Sequence, residues 1–175
     1  MLARQSPTGL RETVYAQVRD LLSRKVIRHD LFPLGVLSID GKTTWSSTLT
    51  NVEGAKTSVD EESGLVTSSL MAVRAVLTSS AVRPCLDQEF IGEKAGEAPA
   101  FRVVFRRVAQ EFGGQFQVVT ADAGIGCREN ASVVLGAKKH YLFSLKGNQP
   151  TLEEAAARLF DERPSRLLAR SEECR

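Results

Sequence analysis

The chain has 175 residues and a mass of 19.1 kDa, a length that fits one domain. Hydrophobic residues make up 42% and charged residues 25% of it, a composition that excludes wholesale disorder and is typical of soluble globular proteins. Apolar runs stay below the roughly 18 residues that a membrane span needs. The cysteines, Cys85, Cys127 and Cys174, form no CxxC pair. They argue against a disulfide scaffold or zinc ribbon and predict a cytoplasmic protein without a membrane partner.

The net charge of +2 is too small to indicate a polyanionic partner, but basic side chains concentrate near the N-terminus. Residues 1–28 contain six basic and two acidic side chains. Apolar residues recur at helical spacing from Leu10 to Leu22, which predicts an amphipathic helix over residues 9–25. The basic face of this helix would either meet nucleic acid or be solvated, and charge alone leaves both readings open.

The rest of the chain divides into apolar strand and helix patterns. A strand over residues 36–39 ends at Asp40, and the Ser/Thr-rich residues 43–69 are predicted to form a long loop. Pro84 predicts an edge position or a bulge in the hairpin that follows. The remaining predicted elements are, in order, strands 70–78 and 82–91, helix 99–112, strand 116–120, helix 128–138, strand 140–145 and helix 151–160.

This order of elements predicts an α/β fold. Three consecutive strands followed by alternating helices and strands build a mixed sheet with helices on its faces, and this is the order of the ribonuclease H-like fold. We therefore predict a basic N-terminal helix and linker over residues 1–33, a ribonuclease H-like core over residues 34–160, and a polar tail over residues 161–175.

Two acids follow apolar strands and precede glycines. Asp40 lies before Gly41, and Asp122 lies two residues before Gly124. If their strands are parallel neighbours, both carboxylates lie at the same edge of the sheet. Two carboxylates brought together repel unless a cation lies between them, and their hard oxygens favour Mg²⁺ or Mn²⁺, which support phosphodiester chemistry. As an alternative, both acids simply form turns.

Two lysines also leave predicted strand ends. Lys42 follows the first strand, and Lys146 opens the segment Lys-Gly-Asn-Gln-Pro. Each would lie where a phosphate group can approach the same edge of the sheet, but both segments also read as ordinary turns. Spacing does not separate these two interpretations.

Three segments, in this order along the chain, resemble the DDE transposases of bacterial insertion sequences. They are residues 38–43 (SIDGKT), 119–123 (VTADA) and 141–152 (YLFSLKGNQPTL). The most similar branch is the one that contains the H-repeat-associated proteins, whose acidic, lysine-containing linker the residues 93–99 (EKAGEAP) also resemble. The resemblance covers roughly residues 30–155, and KGNQP is its most specific piece.

The resemblance implies a ribonuclease H-like core that cleaves and joins double-stranded DNA at transposon ends, with homo-oligomerisation left open. By resemblance, Asp40 is the first catalytic acid and Asp122 the second, and both hold Mg²⁺ or Mn²⁺. Lys42, Lys146 and Asn148 correspond to DNA contacts.

The third acid of the family is a glutamate on a helix well beyond the KGNQ motif. The chain ends before such a segment, so we expect a truncated core without this acid. Glu153 and Glu154 are weaker candidates, because helix capping and solvent exposure explain both positions. Three readings follow: a truncated transposase, a catalytically inactive DNA-binding remnant, or a compact metal-dependent nuclease that uses Glu153 or Glu154.

Overall fold

The computed structural model describes residues 6–48, 52–92, 95–147 and 149–162. The chain divides into a unit that runs to Phe143 and a second unit that begins at Ser144. Along the chain, the elements are α1 (Pro7–Ser23), β1 (Val36–Ser47), β2 (Lys56–Val59), β3 (Val66–Leu77), β4 (Cys85–Ile91), α2 (Glu97–Phe112), β5 (Val118–Ala121), α3 (Arg128–Gly136), β6 (His140–Phe143) and α4 (Pro150–Glu162). None of the described helices is long and apolar enough to cross a membrane.

The described strands form one mixed sheet. Strand β3 is antiparallel to β1, to β2 and to β4, whereas β1 and β5 are parallel, as are β5 and β6. The predicted α/β fold with a mixed sheet is therefore confirmed. Strand β5 lies beside β1 in the sheet, but β3, β4 and α2 come between these two strands along the chain. The acids predicted to meet, Asp40 and Asp122, are therefore far apart in sequence.

The hydrophobic core lies between the sheet and α2. Residues Leu37 and Ile39 alternate with half-exposed neighbours along β1, so one face of this strand is fully buried. Helix α2 meets the core with apolar side chains three and four residues apart, including Phe101 and Phe105, both essentially inaccessible to solvent. This packing fixes the position of α2 relative to β1.

The Ser/Thr-rich segment is more ordered than its sequence predicts. The loop prediction for residues 43–69 is wrong for three stretches, since β1 extends to Ser47, β2 occupies part of the segment and β3 begins at Val66. Polar side chains stabilise these strands locally: Ser58 and Thr67 share a hydrogen bond of 3.0 Å between their hydroxyl oxygens. Such strands lack the apolar alternation on which strand prediction relies.

The prediction drawn from Pro84 is confirmed. Among the described strands, β4 pairs with β3 alone, so it is an edge strand. The register of this pair shifts between Ala75 and Val76, next to the start of β4 at Cys85. The predicted polar tail lies outside the described residues from position 163 onward.

The basic side chains of α1 are largely paired within the protein. Arg11 lies 3.0 Å from Asp87, a carboxylate that is buried and also binds Arg107 of α2 at 2.6 Å. Arg19 forms an ion pair with Glu111 of α2. Burial, followed by the negative charge of Asp87, raises the pKa of Tyr15 on the same helix to about 12. These contacts attach α1 to α2 and β4.

Gly35, just before β1, lies where two backbone segments approach each other closely. A Cβ atom there would collide with the carbonyl oxygen of Gln115 and with the Cα atom of Phe116. The Gly35 carbonyl accepts hydrogen bonds from the N–H groups of Gln117 and Val118, which start the parallel pairing of β1 with β5. The side chain that Gly35 lacks would therefore push the two parallel strands apart.

We expect Gly35→Ala to lower the free energy of unfolding by about 1–3 kcal/mol, because the clash is with backbone that has no room to move. Urea denaturation measures this loss. Gly136→Ala is the matched control, since a Cβ at that position has no neighbour within 4 Å. Equal stability of the two variants would contradict the close approach at Gly35.

Candidate active site

Asp40 and Asp122 are carried by neighbouring parallel strands. In the register between β1 and β5, Ser38 pairs with Thr120, so two residues further along Asp40 and Asp122 lie at the same level of the sheet. Asp40 remains inside β1, which continues to pair with β3, whereas Asp122 follows the last residue of β5. Both acids are half-exposed, as a site open to a ligand requires.

Glu97, the first residue of α2, joins these two acids. A Cβ atom at Gly41 would collide with its carboxylate, so the carboxylate lies directly over the β1 backbone beside Asp40. A Cβ atom at Gly124 would lie 3.4 Å from Glu97 Oε2 and 3.5 Å from Asp122 Oδ1. The two glycines therefore leave the space into which the Glu97 and Asp122 side chains reach.

The electrostatics of Glu97 reflect this arrangement. Its pKa is raised above the ordinary value of 4.5, first by burial and then by the negative charges of Asp122 and Asp40. Ionised Glu97 is thus held against two like charges. Asp40, Glu97 and Asp122 are called the acid cluster below.

Lys42 supplies a positive charge to the acid cluster. It follows Asp40 by two residues, on the same face of β1, and its Nζ lies 2.8 Å from Asp40 Oδ2. The hydrogen bond to Asp40 and the charge of Asp40 raise the pKa of Lys42, and Asp122 adds a smaller contribution in the same direction. Both side chains remain accessible, at 63% for Lys42 and 41% for Asp40.

Asp122 also forms a turn, which was the alternative to metal binding that its sequence position allowed. Its Oδ1 atom accepts a hydrogen bond of 3.1 Å from the backbone N–H of Ile125, and its carbonyl oxygen accepts one of 2.9 Å from the N–H of Gly126. These bonds fix the chain as it leaves β5 and orient the carboxylate. Turn formation and membership of the acid cluster are therefore compatible.

The acid cluster fits a divalent cation in its chemistry and only partly in its arrangement. Three carboxylates against one ammonium group leave an excess of negative charge, and carboxylate oxygens are the ligands that Mg²⁺ and Mn²⁺ prefer. Within the described residues, however, no group of three or more His, Cys, Asp or Glu side chains is already placed to hold a metal ion. Side-chain rearrangement around Asp40 would have to accompany metal binding.

The other predicted site residues belong to the unit that begins at Ser144 and are described within it. The Lys146 carbonyl accepts a hydrogen bond of 2.9 Å from the N–H of Gln149 in the turn before α4. Glu153 and Glu154 are exposed on α4, and Glu154 forms a loose pair with Arg158 at 4.0 Å. Asn148 lies outside the described residues.

Sequence reasoning missed Glu97 as a site residue. An acid in the first turn of a helix is explained by the helix dipole alone, so its presence after Gly96 carries no functional signal. Only the packing of α2 against β1 brings its carboxylate over Gly41.

We expect Glu97→Gln to stabilise the protein at neutral pH. Because the pKa of Glu97 is higher in the folded than in the unfolded chain, its contribution to stability is complete below about pH 4.5 and is lost as the pH rises through the raised pKa. The stability of Glu97→Gln relative to the unmodified protein should therefore grow between pH 4 and 7, as measured by urea denaturation. Glu12→Gln, at an exposed position of α1, is the control, and a pH-independent difference for Glu97→Gln would contradict the repulsion.

Comparisons of this chain with protein-family models, with curated proteins and with solved structures found no match. The site is therefore characterised by its own residues: two acids at the same level of neighbouring parallel strands, a third acid at the start of α2, and the charge of Lys42 beside them.

Proposed function

We propose that this chain is a ribonuclease H-like transposase domain that binds double-stranded DNA and cleaves and joins phosphodiester bonds with the help of Mg²⁺ or Mn²⁺. The observation that carries the proposal is the convergence of Asp40, Glu97 and Asp122, three acids from β1, α2 and the end of β5. Clustering these acids does not stabilise the fold, because their negative charges repel one another. Such unfavourable charge arrangements are typical of functional sites.

The sheet topology supports the fold assignment within this proposal. Strands β4, β3 and β1 are antiparallel neighbours, and the parallel strands β5 and β6 continue the sheet on the other side of β1. Helix α2 connects β4 to β5, α3 connects β5 to β6, and α4 follows β6. This is the order expected of a ribonuclease H-like core, with β2 as an added strand beside β3.

In this proposal Asp40, Asp122 and Glu97 together hold the divalent cation. When bound, the cation would activate the attacking water or 3′-hydroxyl and stabilise the leaving oxygen. Asp122 is oriented by the Ile125 N–H, and Glu97 is oriented by the helix that carries it. In this proposal Glu97 takes the role of the third acid, which the sequence predicted to be missing and for which Glu153 and Glu154 were only weaker candidates.

DNA recognition is assigned first to Lys42, the basic group at the edge of the acid cluster. Lys146 and Asn148 are further candidates by their resemblance to the transposase motif alone. Helix α1 contributes little to this proposal, because Arg11 and Arg19 are engaged with Asp87 and Glu111. An ammonium group bound to a phosphate releases counterions, so binding should weaken steeply as salt rises.

One observation favours a second candidate function, a DNA-binding protein without catalytic activity. Asp40 is engaged by Lys42 at 2.8 Å, and the described part of the chain has no ready three-acid metal group. A protein of this kind would shift DNA in a gel but leave its strands intact.

We expect the protein to nick supercoiled plasmid in the presence of Mn²⁺ or Mg²⁺. Asp40→Asn, Asp122→Asn and Glu97→Gln should each lower the rate by about 100-fold or more, because each removes a charge that the reaction depends on. Gly41→Ala keeps all three acids but pushes the Glu97 carboxylate away, so it should also be impaired.

Two controls accompany this experiment. Asp20→Asn removes an exposed acid of α1, and Gly92→Ala adds a methyl group where a Cβ has no neighbour within 4 Å. Both should nick plasmid at the normal rate. Salt-dependent DNA binding without nicking would favour the inactive DNA-binding protein, and nicking that survives in Glu97→Gln and Gly41→Ala would contradict the role given to Glu97.

A further inference from the structure

The ion pair between Lys42 and Asp40 blocks one part of the acid cluster. The Lys42 Nζ lies 2.8 Å from Asp40 Oδ2, and Asp122 is close enough to attract the same ammonium group. Lys42 is thus bound where the negative charge of the acid cluster is concentrated. The ammonium group of Lys42 therefore lies beside Asp40, where a bound metal ion would also lie.

A divalent ion and the ammonium group both draw on the negative charge of Asp40, so each weakens the binding of the other. Two positive charges about 4 Å apart repel each other, and the repulsion is strongest where solvent is partly excluded. Binding of a metal ion at Asp40 therefore favours departure of the Lys42 side chain. Lys42 can do so at little cost, because its side chain is 63% exposed and ends a flexible four-carbon stem.

From this geometry we propose that Lys42 is a tethered cation that competes with the divalent metal ion for Asp40 and leaves the acid cluster when that ion binds. The inference rests on the proposed function, because it concerns the regulation of the same site. It assigns Lys42 two states: paired with Asp40 in the metal-free protein, and released toward solvent in the metal-bound one. In the released state the ammonium group is available to a DNA phosphate.

This competition differs in its consequences from two simpler roles. If Lys42 only contacts DNA, its removal weakens DNA binding and leaves metal affinity unchanged. If Lys42 only stabilises β1, its removal lowers stability, and a less ordered Asp40 binds metal more weakly. Of these three roles, only competition predicts tighter metal binding after Lys42 is removed, and movement of Lys42 itself distinguishes displacement from repulsion at a distance.

The test is Mn²⁺ binding to the full chain without DNA, measured by isothermal titration calorimetry. We expect Lys42→Met to bind Mn²⁺ about two to five times more tightly than the unmodified protein, because the metal no longer has to displace a solvent-exposed ion pair. Lys42→Arg, which keeps a tethered positive charge, should stay near the unmodified affinity. Lys56→Met, on the exposed strand β2, removes the same charge elsewhere and should change the affinity less than about twofold.

A second readout follows Lys42 itself. Its side-chain methylene resonances, identified by their loss in Lys42→Arg, should shift during a Mg²⁺ titration with the same midpoint as metal binding. Resonances that do not move, or an affinity in Lys42→Met that is equal to or weaker than that of the unmodified protein, would overturn the competition while leaving the metal site of the proposed function in place. Failure of both proteins to bind Mn²⁺ would remove that metal site, and the competition with it.

Discussion

The close approach of the Glu97 carboxylate to Gly41 and Gly124, beside Asp40 and Asp122, is the constraint on which the site depends. Asp40, Glu97 and Asp122 come from separate elements, and the chain holds Glu97 near the other two although burial, followed by the charges of Asp122 and Asp40, raises its pKa. Lys42 offsets part of this repulsion from one side. The arrangement is stable only because the elements that carry the acids are fixed by interactions elsewhere.

Those interactions are mostly hydrophobic. Apolar side chains of α2, with Phe101 and Phe105 among them, pack on the buried face of β1 and hold the helix in one position. The first turn of α2 then lies over Gly41. The packing of the core therefore sets the geometry of the site. The ion pairs of Arg107 with Asp87 and Glu89 secure the same helix from the side of β4.

Much of this architecture could be predicted from the sequence, because the apolar periodicity of the core strands and helices is strong. The order of those elements and the position of Asp122 at the end of β5 follow from it, whereas Asp40, predicted to end a strand, lies inside β1 because that strand continues to Ser47. The polar strands around Ser58 and Thr67 could not be predicted, since their pairing depends on hydrogen bonds rather than on apolar alternation. Glu97 was missed because its role arises from a contact between distant segments, which no local pattern encodes.

Paramagnetic broadening by Mn²⁺ tests most directly whether the three acids form one cation site. In ¹³C-detected spectra of the side-chain carboxylates, assigned with single Asp→Asn and Glu→Gln variants, substoichiometric Mn²⁺ should broaden the signals of Asp40, Glu97 and Asp122 together and first. Exposed acids such as Glu12 should broaden only at higher Mn²⁺ concentrations. Broadening that begins elsewhere, or that affects Asp40 and Asp122 but spares Glu97, would contradict the account.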